Sequence, residues 1–239
     1  MQNLGAQNST YLIIGASSGI GKALALHIAE SGGHVFGTYN THETQSDHPN
    51  IEYHHLNVLE EGNTLGFVPD VLTGLIYCPG TINLRPFQRI TPSDFLHDYN
   101  LQVVGAVRVI QAVAKRLLAS DNASITLFST IAVHTGLPFH SQVAASKGAI
   151  EGLTRALAAE YAPKIRVNCI APSLTDTPLA SSLLNTEQKR LASAQRHPLK
   201  RVGTVDDIVS AVDYLTSNKA SWVTGQILHV DGGLSTLRV

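Results

Sequence analysis

Charge is scarce in this chain. Asp, Glu, Lys and Arg make up 15% of its 239 residues, against about 25% in an average soluble protein. Seventeen basic and eighteen acidic side chains leave a net charge of −1. No basic block could neutralise a row of phosphates, so nucleic acid is not an expected partner. Cysteine is scarcer still, and Cys78 and Cys169 are too few for a disulfide framework. No apolar run reaches the roughly 18 residues of a membrane span, because Arg108, Lys115 and Arg116 interrupt the longest helical stretch. The first basic side chain is Lys22, so a secretory leader is not expected and a cytoplasmic location is. Histidines outside the 130–147 segment show no H-x-x-x-H or paired-carboxylate spacing, so no metal site is expected.

What is abundant is apolar. Residues of the AVILMFWYC set reach 44%, more than a monomer comfortably covers, which points to a homodimer or homotetramer. From Thr10 onwards, short apolar runs alternate with longer amphipathic stretches. The runs 10–14, 34–39, 51–56, 74–78, 124–129, 164–171 and 226–230 read as strands; 19–31, 93–119, 142–162 and 205–217 carry helical spacing. This rhythm predicts an α/β fold of the Rossmann type, with a doubly wound parallel sheet of about seven strands in three α/β/α layers. No linker or repeat divides 1–239, so a single domain is expected. The connections 40–50 and 60–73 are short for crossover helices, and at least one of them is expected to be a loop. Near 176–200, Leu179, Leu183, Leu184 and Leu191 fall at near-helical spacing and suggest a small lid over an apolar substrate or a packed core.

The first strand runs directly into Gly15-Ala-Ser-Ser-Gly19-Ile-Gly21 and then a helix. Glycines there let the backbone turn sharply and approach a diphosphate, while free amides and the positive end of the new helix attract its charge. The G-x-x-x-G-x-G spacing resembles that of the short-chain dehydrogenase/reductase family. Asn100-Leu101, Ser129-Thr130, Ala145-Ser146-Lys147-Gly148, Arg166-Val167-Asn168 through Pro172, and Val230-Asp231-Gly232-Gly233 are similar to family segments in the same order. The likeness extends over essentially the whole chain and is nearest to the branch containing 3-oxoacyl-carrier-protein reductases.

The resemblance implies an oxidoreductase that moves a hydride between a nicotinamide dinucleotide and a carbonyl or secondary alcohol. It implies Asn100, Thr130 and Lys147 as catalytic residues. It also implies a cofactor site formed by Gly15, Ser17, Ser18, Gly19, Ile20, Gly21, Tyr39, Asn40, Asn57, Val58, Pro79, Gly80, Lys147, Pro172 and Thr177. One element of the family pattern is missing: four places before Lys147, where Y-x-x-x-K calls for tyrosine, stands Val143. An isopropyl group can neither donate nor accept the proton that an alkoxide needs. His134 and His140 are candidate replacements, since imidazole titrates near neutrality. Tyr77 and the Thr130 hydroxyl are others. The alternative is a protein that binds the dinucleotide without redox turnover, as a sensor or a regulatory subunit. The end of the second strand, Thr38-Tyr39-Asn40-Thr41, lacks the acid that would hold an NAD ribose diol, which favours NADP(H) over NAD(H). Ser18, where an arginine or lysine often holds the extra phosphate, leaves both open.

Overall fold

In the computed structural model, residues 9–41, 43–46, 48–62 and 65–238 are described. Seven strands, β1 (Thr10–Ile14), β2 (His34–Tyr39), β3 (Ile51–His55), β4 (Gly74–Tyr77), β5 (Ala123–Phe128), β6 (Ile165–Pro172) and β7 (Ile227–Val230), form one sheet in the order β3-β2-β1-β4-β5-β6-β7. Every pairing is parallel. Side chains alternate across a strand, and β1 divides accordingly. Leu12 and Ile14 join a core with Leu75, Val109, Val113 and Ile150, whereas Tyr11 and Ile13 join the opposite core with Leu24, Ile28, Ile208 and Val212. Both faces of the sheet are therefore covered, as an all-parallel sheet requires.

Helix α1 (Gly19–Glu30) packs beside α7 (Val205–Thr216) on one face. On the other lie α3 (Gly105–Leu118) and α4 (Ser141–Tyr161). The helix expected over 93–119 is present in three joined pieces: α2 (Pro92–Tyr99), a π-helical segment (Asn100–Val104) and α3. Thr91 and Asp94 close α2 with a capping box and Pro92 opens its first turn, the residues that fit a helix start. The lid region carries two short helices, α5 (Ser181–Leu184) and α6 (Glu187–Arg196).

Neither short connection holds a helix among its described residues. Instead of a crossover helix, Leu65, Val68 and Leu72 are buried beneath the sheet edge, and the Phe67 ring stacks on His54 of β3 with centroids 4.0 Å apart. The Arg108 guanidinium fastens this loop to α3 by donating to the carbonyls of Val58 and Leu59 and to Glu61.

A second capping box starts α7. Thr204 and Asp207 cap each other's backbone amides, and Arg201 grips the Asp207 carboxylate with both guanidinium nitrogens at 2.6 and 2.7 Å. Asp207→Ala removes both links. Losing such a cap costs about 1 kcal/mol, expected as a fall in Tm of roughly 2–4 °C for a chain of this size.

The strand order reverses beside β1, so β1 and β4 flank a topological switch point, where open α/β sheets bind ligands outside the carboxyl ends of the strands. Ile14 pairs with Tyr77 in register, which sets Gly15 and the Cys78-Pro79-Gly80 turn at the same height above the sheet.

Candidate cofactor and catalytic site

The glycine turn is held from below and open above. Gly15 and Gly19 have φ of +77° and +51°, left-handed values that favour glycine. A Cβ on Gly21 would lie 2.2 Å from the Gly15 carbonyl oxygen, so α1 sits closer to the turn than any side chain permits. Thr38 of β2 clasps the turn, its hydroxyl accepting from the Gly15 amide at 3.1 Å and its carbonyl from the Ala16 amide at 2.8 Å. The amides of Ser18, Gly19, Ile20 and Gly21 have no acceptor among the described residues. Ser18 makes no side-chain cap and the first turn of α1 contains no acid, so the positive helix end is uncompensated. Pro79 approaches Gly15 and Thr177 approaches Gly19, 3.5 and 3.7 Å from where their Cβ atoms would stand. This cradle fits a diphosphate: it offers amides, positive potential and no side chain in the way.

Four other expected cofactor residues lie around the ends of β2 and β3. Tyr39 is half-buried with its ring edge against His55, and Asn40 is exposed. The Asn57 amide group closes its own turn, accepting from the Leu59 amide and donating to Glu60, while Val58 is buried.

Lys147 stands on α4 with 8% of its surface exposed. Its Nζ lies 3.8 Å from where a Gly80 side chain would begin, and Gln102 Oε1 lies 3.7 Å from the same point. Gln102 is fully buried and donates from Nε2 to Asp98 Oδ1 at 2.7 Å; the Thr81 hydroxyl donates to the same oxygen. Among the described residues Asp98 Oδ2 and Gln102 Oε1 have no hydrogen-bond partner, and none hydrogen-bonds to Lys147 Nζ. Burial lowers the Lys147 ammonium to about 8, with Asp98 opposing the shift. The neighbouring thiols of Cys78 and Cys169 are pushed up by burial to about 12.

Asn100 is not brought to this cluster. It is exposed at the start of the π-helical segment, and Gln102, two residues on, occupies the inward position. The signal for Gln102 was a polar side chain on the apolar face formed with Val103, Ala106, Val109 and Val113. Val143 is half-buried one turn before Lys147 on the same face of α4. The Thr130 hydroxyl accepts from the Ala132 amide and caps the short turn 131–133. Tyr77 is committed elsewhere: its hydroxyl donates to the Leu101 carbonyl at 2.6 Å, and burial holds its pKa well above the ordinary value. His134 is exposed against the His229 ring at 5.2 Å, and His140 Nδ1 lies 2.7 Å from the Pro138 carbonyl within its own loop.

The lid is anchored by a residue that the sequence did not single out. His197 caps α6 and is buried, its Nδ1 2.8 Å from the Ser193 carbonyl and its Nε2 2.8 Å from the Ser173 hydroxyl. A carbonyl only accepts, so Nδ1 donates to Ser193. Pro172 ends β6 and Ser173 follows it, and Thr177 caps the turn 178–180 with its hydroxyl. The 176–200 segment is thus tied to the residue that follows β6.

A seven-stranded parallel sheet with this cradle at its switch point defines a Rossmann-type nucleotide-binding fold. The family model described as enoyl-(acyl carrier protein) reductase matches residues 15–235. A 3-oxoacyl-[acyl-carrier-protein] reductase of Thermotoga maritima is 30% identical over 238 residues, covering 93% of this chain and 96% of its own. A tropinone reductase homolog of Arabidopsis thaliana is 38% identical over 159 residues, 65% of this chain and 60% of its own length. The solved aldohexose dehydrogenase of Thermoplasma acidophilum shares the fold with a TM-score of 0.90, at 24% identity over 98% of this chain and 96% of its own. The chain belongs to the short-chain dehydrogenase/reductase family of oxidoreductases.

Proposed function

We propose that this protein is an NAD(P)-dependent reductase of a small carbonyl compound, with an atypical proton supply. The observation that carries the reading is the juxtaposition of the open amide cradle at Gly15–Gly21 with a buried lysine behind Gly80. In this reading the cradle amides bind the diphosphate, while Tyr39, Asn40, Asn57 and Val58 border the adenosine end. Pro79, Gly80, Pro172 and Thr177 frame the nicotinamide end, and Lys147 holds its ribose. A reduced nicotinamide, when bound, supplies a hydride. Thr130 turns its hydroxyl to the substrate carbonyl, and Gln102 rather than Asn100 provides the helix amide of the site. NADP(H) is preferred because the exposed end of β2 offers Asn40 and no carboxylate to a ribose diol.

The lid of α5 and α6 closes over the substrate, tethered through Ser173 and His197. The active species is a homodimer or homotetramer in a single-domain fold. Trp222, the chain's only tryptophan, is 99% exposed. A second reading, a dinucleotide sensor or regulatory subunit without turnover, is favoured by one observation: Val143 places an apolar group where the family uses a proton donor.

Calorimetric titration with NADPH and NADH, followed by loss of the reduced-nicotinamide absorbance with a panel of carbonyl compounds, tests both readings. NADPH is expected to bind more tightly than NADH and to be oxidised slowly. Failure of both dinucleotides to bind sinks the nucleotide reading, whereas tight binding without oxidation selects the sensor.

A further inference from the structure

Ser173 and His197 form more than a tether. The Ser173 amide donates to the Val230 carbonyl at 3.2 Å, which fixes the backbone just beyond β6, and the residue is half-buried. Its hydroxyl lies 2.8 Å from His197 Nε2, and His197 Nδ1 lies 2.8 Å from the Ser193 carbonyl. A hydroxyl, a base and a group that orients the base therefore stand in line. Both separations fall within the range of about 2.6–3.2 Å that activated nucleophiles use.

The third member is a carbonyl instead of a carboxylate. Ser193 lies in the last turn of α6, where carbonyls lack helical donors and carry the negative end of the helix dipole. The His197 amide donates to Ala194, so the Ser193 oxygen is left to the imidazole. In the neutral ring Nδ1 carries the proton and Nε2 offers its lone pair to the Ser173 hydroxyl. Loss of the right tautomer is what costs most when an orienting group is altered. Here the tautomer is held, and only the full negative charge is missing.

The pair opens on a cavity. Ser173 and His197 both line a hollow of about 310 Å³, with Leu174, Leu199, Ile208 and Val230 as its apolar lining. None of the residues assigned above to the dinucleotide lines it. The volume is at the lower end of the roughly 300–1,000 Å³ of ligand pockets and suits a short acyl group. Among the described residues the Leu174 amide has no acceptor. The amide that follows a nucleophilic serine is the one that receives a developing oxyanion.

We infer that Ser173 is a nucleophile activated by His197, and that this cavity is a second active centre, which hydrolyses short apolar esters. It uses neither the cradle nor Lys147, so it does not depend on the reductase reading. Ser173 Oγ attacks the ester carbon as its proton passes to His197 Nε2, and the C=O π pair moves onto oxygen. When that pair returns, the bond to the alkoxy oxygen breaks and the leaving alcohol takes the proton from Nε2. Water then repeats the sequence on the Ser173 ester, releasing the carboxylic acid and restoring the serine.

The test uses the whole protein and p-nitrophenyl butyrate. Nitrophenol release is expected to begin with a burst of about one equivalent per chain and to continue more slowly. Peptide mass spectrometry is expected to place a butyryl group on Ser173, removable by hydroxylamine as an ester is and as an amide on a surface lysine is not. Ser173→Ala is expected to lose the burst and at least about a hundredfold in steady rate. His197→Gln, with the serine intact, is expected to lose a similar factor. A pair that served only to hold the lid would give no acyl-serine in the parent. That labelling needs no variant, and a fluorophosphonate repeats it with a second chemistry, so the inference stays testable if a variant fails to fold.

The inference is overturned by acyl groups on lysines alone, or by a fluorophosphonate that leaves Ser173 unmodified. It is also overturned by a folded Ser173→Ala protein that hydrolyses the ester within about threefold of the parent's rate.

Discussion

Val143→Tyr is expected to raise carbonyl reduction by about ten- to a hundredfold. The substitution puts a phenol four residues before Lys147, on the same helix face and within reach of its ammonium. A phenol ordinarily titrates near 10, and a cation beside it favours the phenolate, bringing it nearer to neutrality. General acid catalysis is worth about 10² to 10⁴ in rate. An isopropyl group supplies none of that factor, so the phenol is expected to recover part of it. Val143 is half-buried rather than enclosed, which leaves room for a ring. Single-turnover rates with NADPH, parent against variant, measure the gain. No gain with NADPH binding intact would mean that the substrate no longer sits against this face of α4.

Gly21→Ala is expected to abolish NADPH binding at micromolar concentrations and to destabilise the fold. The added methyl would lie 2.2 Å from the Gly15 carbonyl oxygen. Both sides of that contact belong to backbone, so no rotamer change relieves it. Overpacking of this kind costs about 1–3 kcal/mol, occasionally more, and the turn and α1 must separate, dispersing the amides that converge on one anion. A loss of affinity above a hundredfold, about 2.7 kcal/mol, should appear in the titration, with a lower Tm. Gly152→Ala is the matched control. It lies inside α4 with nothing within 4 Å of its new methyl, so it is expected to leave binding alone and to stabilise by about 0.5–1 kcal/mol.

The sheet was legible because its strands are short apolar runs bounded by glycine, proline or polar residues. All seven appear in the structure within two residues of where the pattern puts them. The cradle was legible for a related reason: Gly15, Gly19 and Gly21 are required by two positive φ values and one close backbone approach, and such demands mark a sequence directly. The inner wall of the site was not. The resemblance points to Asn100, whereas Asn100 stands exposed at the start of the π-helical segment and Gln102, two residues on, is buried. Thr81 meets Asp98 across 17 residues of chain, a contact that no periodicity reports. The tie between Ser173 and His197 spans 24 residues and was hidden in the same way.

The π-helical segment at Asn100–Val104 sets local regularity against site assembly. Deleting one residue from it would restore an ordinary α-helix across 92–118 and improve the backbone hydrogen bonding there. A π turn holds one residue more than an α turn, so the flanking helices would keep their relative rotation, and the loss falls on the side chains of the segment itself, among them the buried Gln102 that donates to Asp98. A screen that rewards thermal stability alone would therefore select against the wall of this pocket. The irregular turn is a place where this chain carries a less favourable helix while the Gln102 amide oxygen and the Lys147 ammonium stand together beside Gly80.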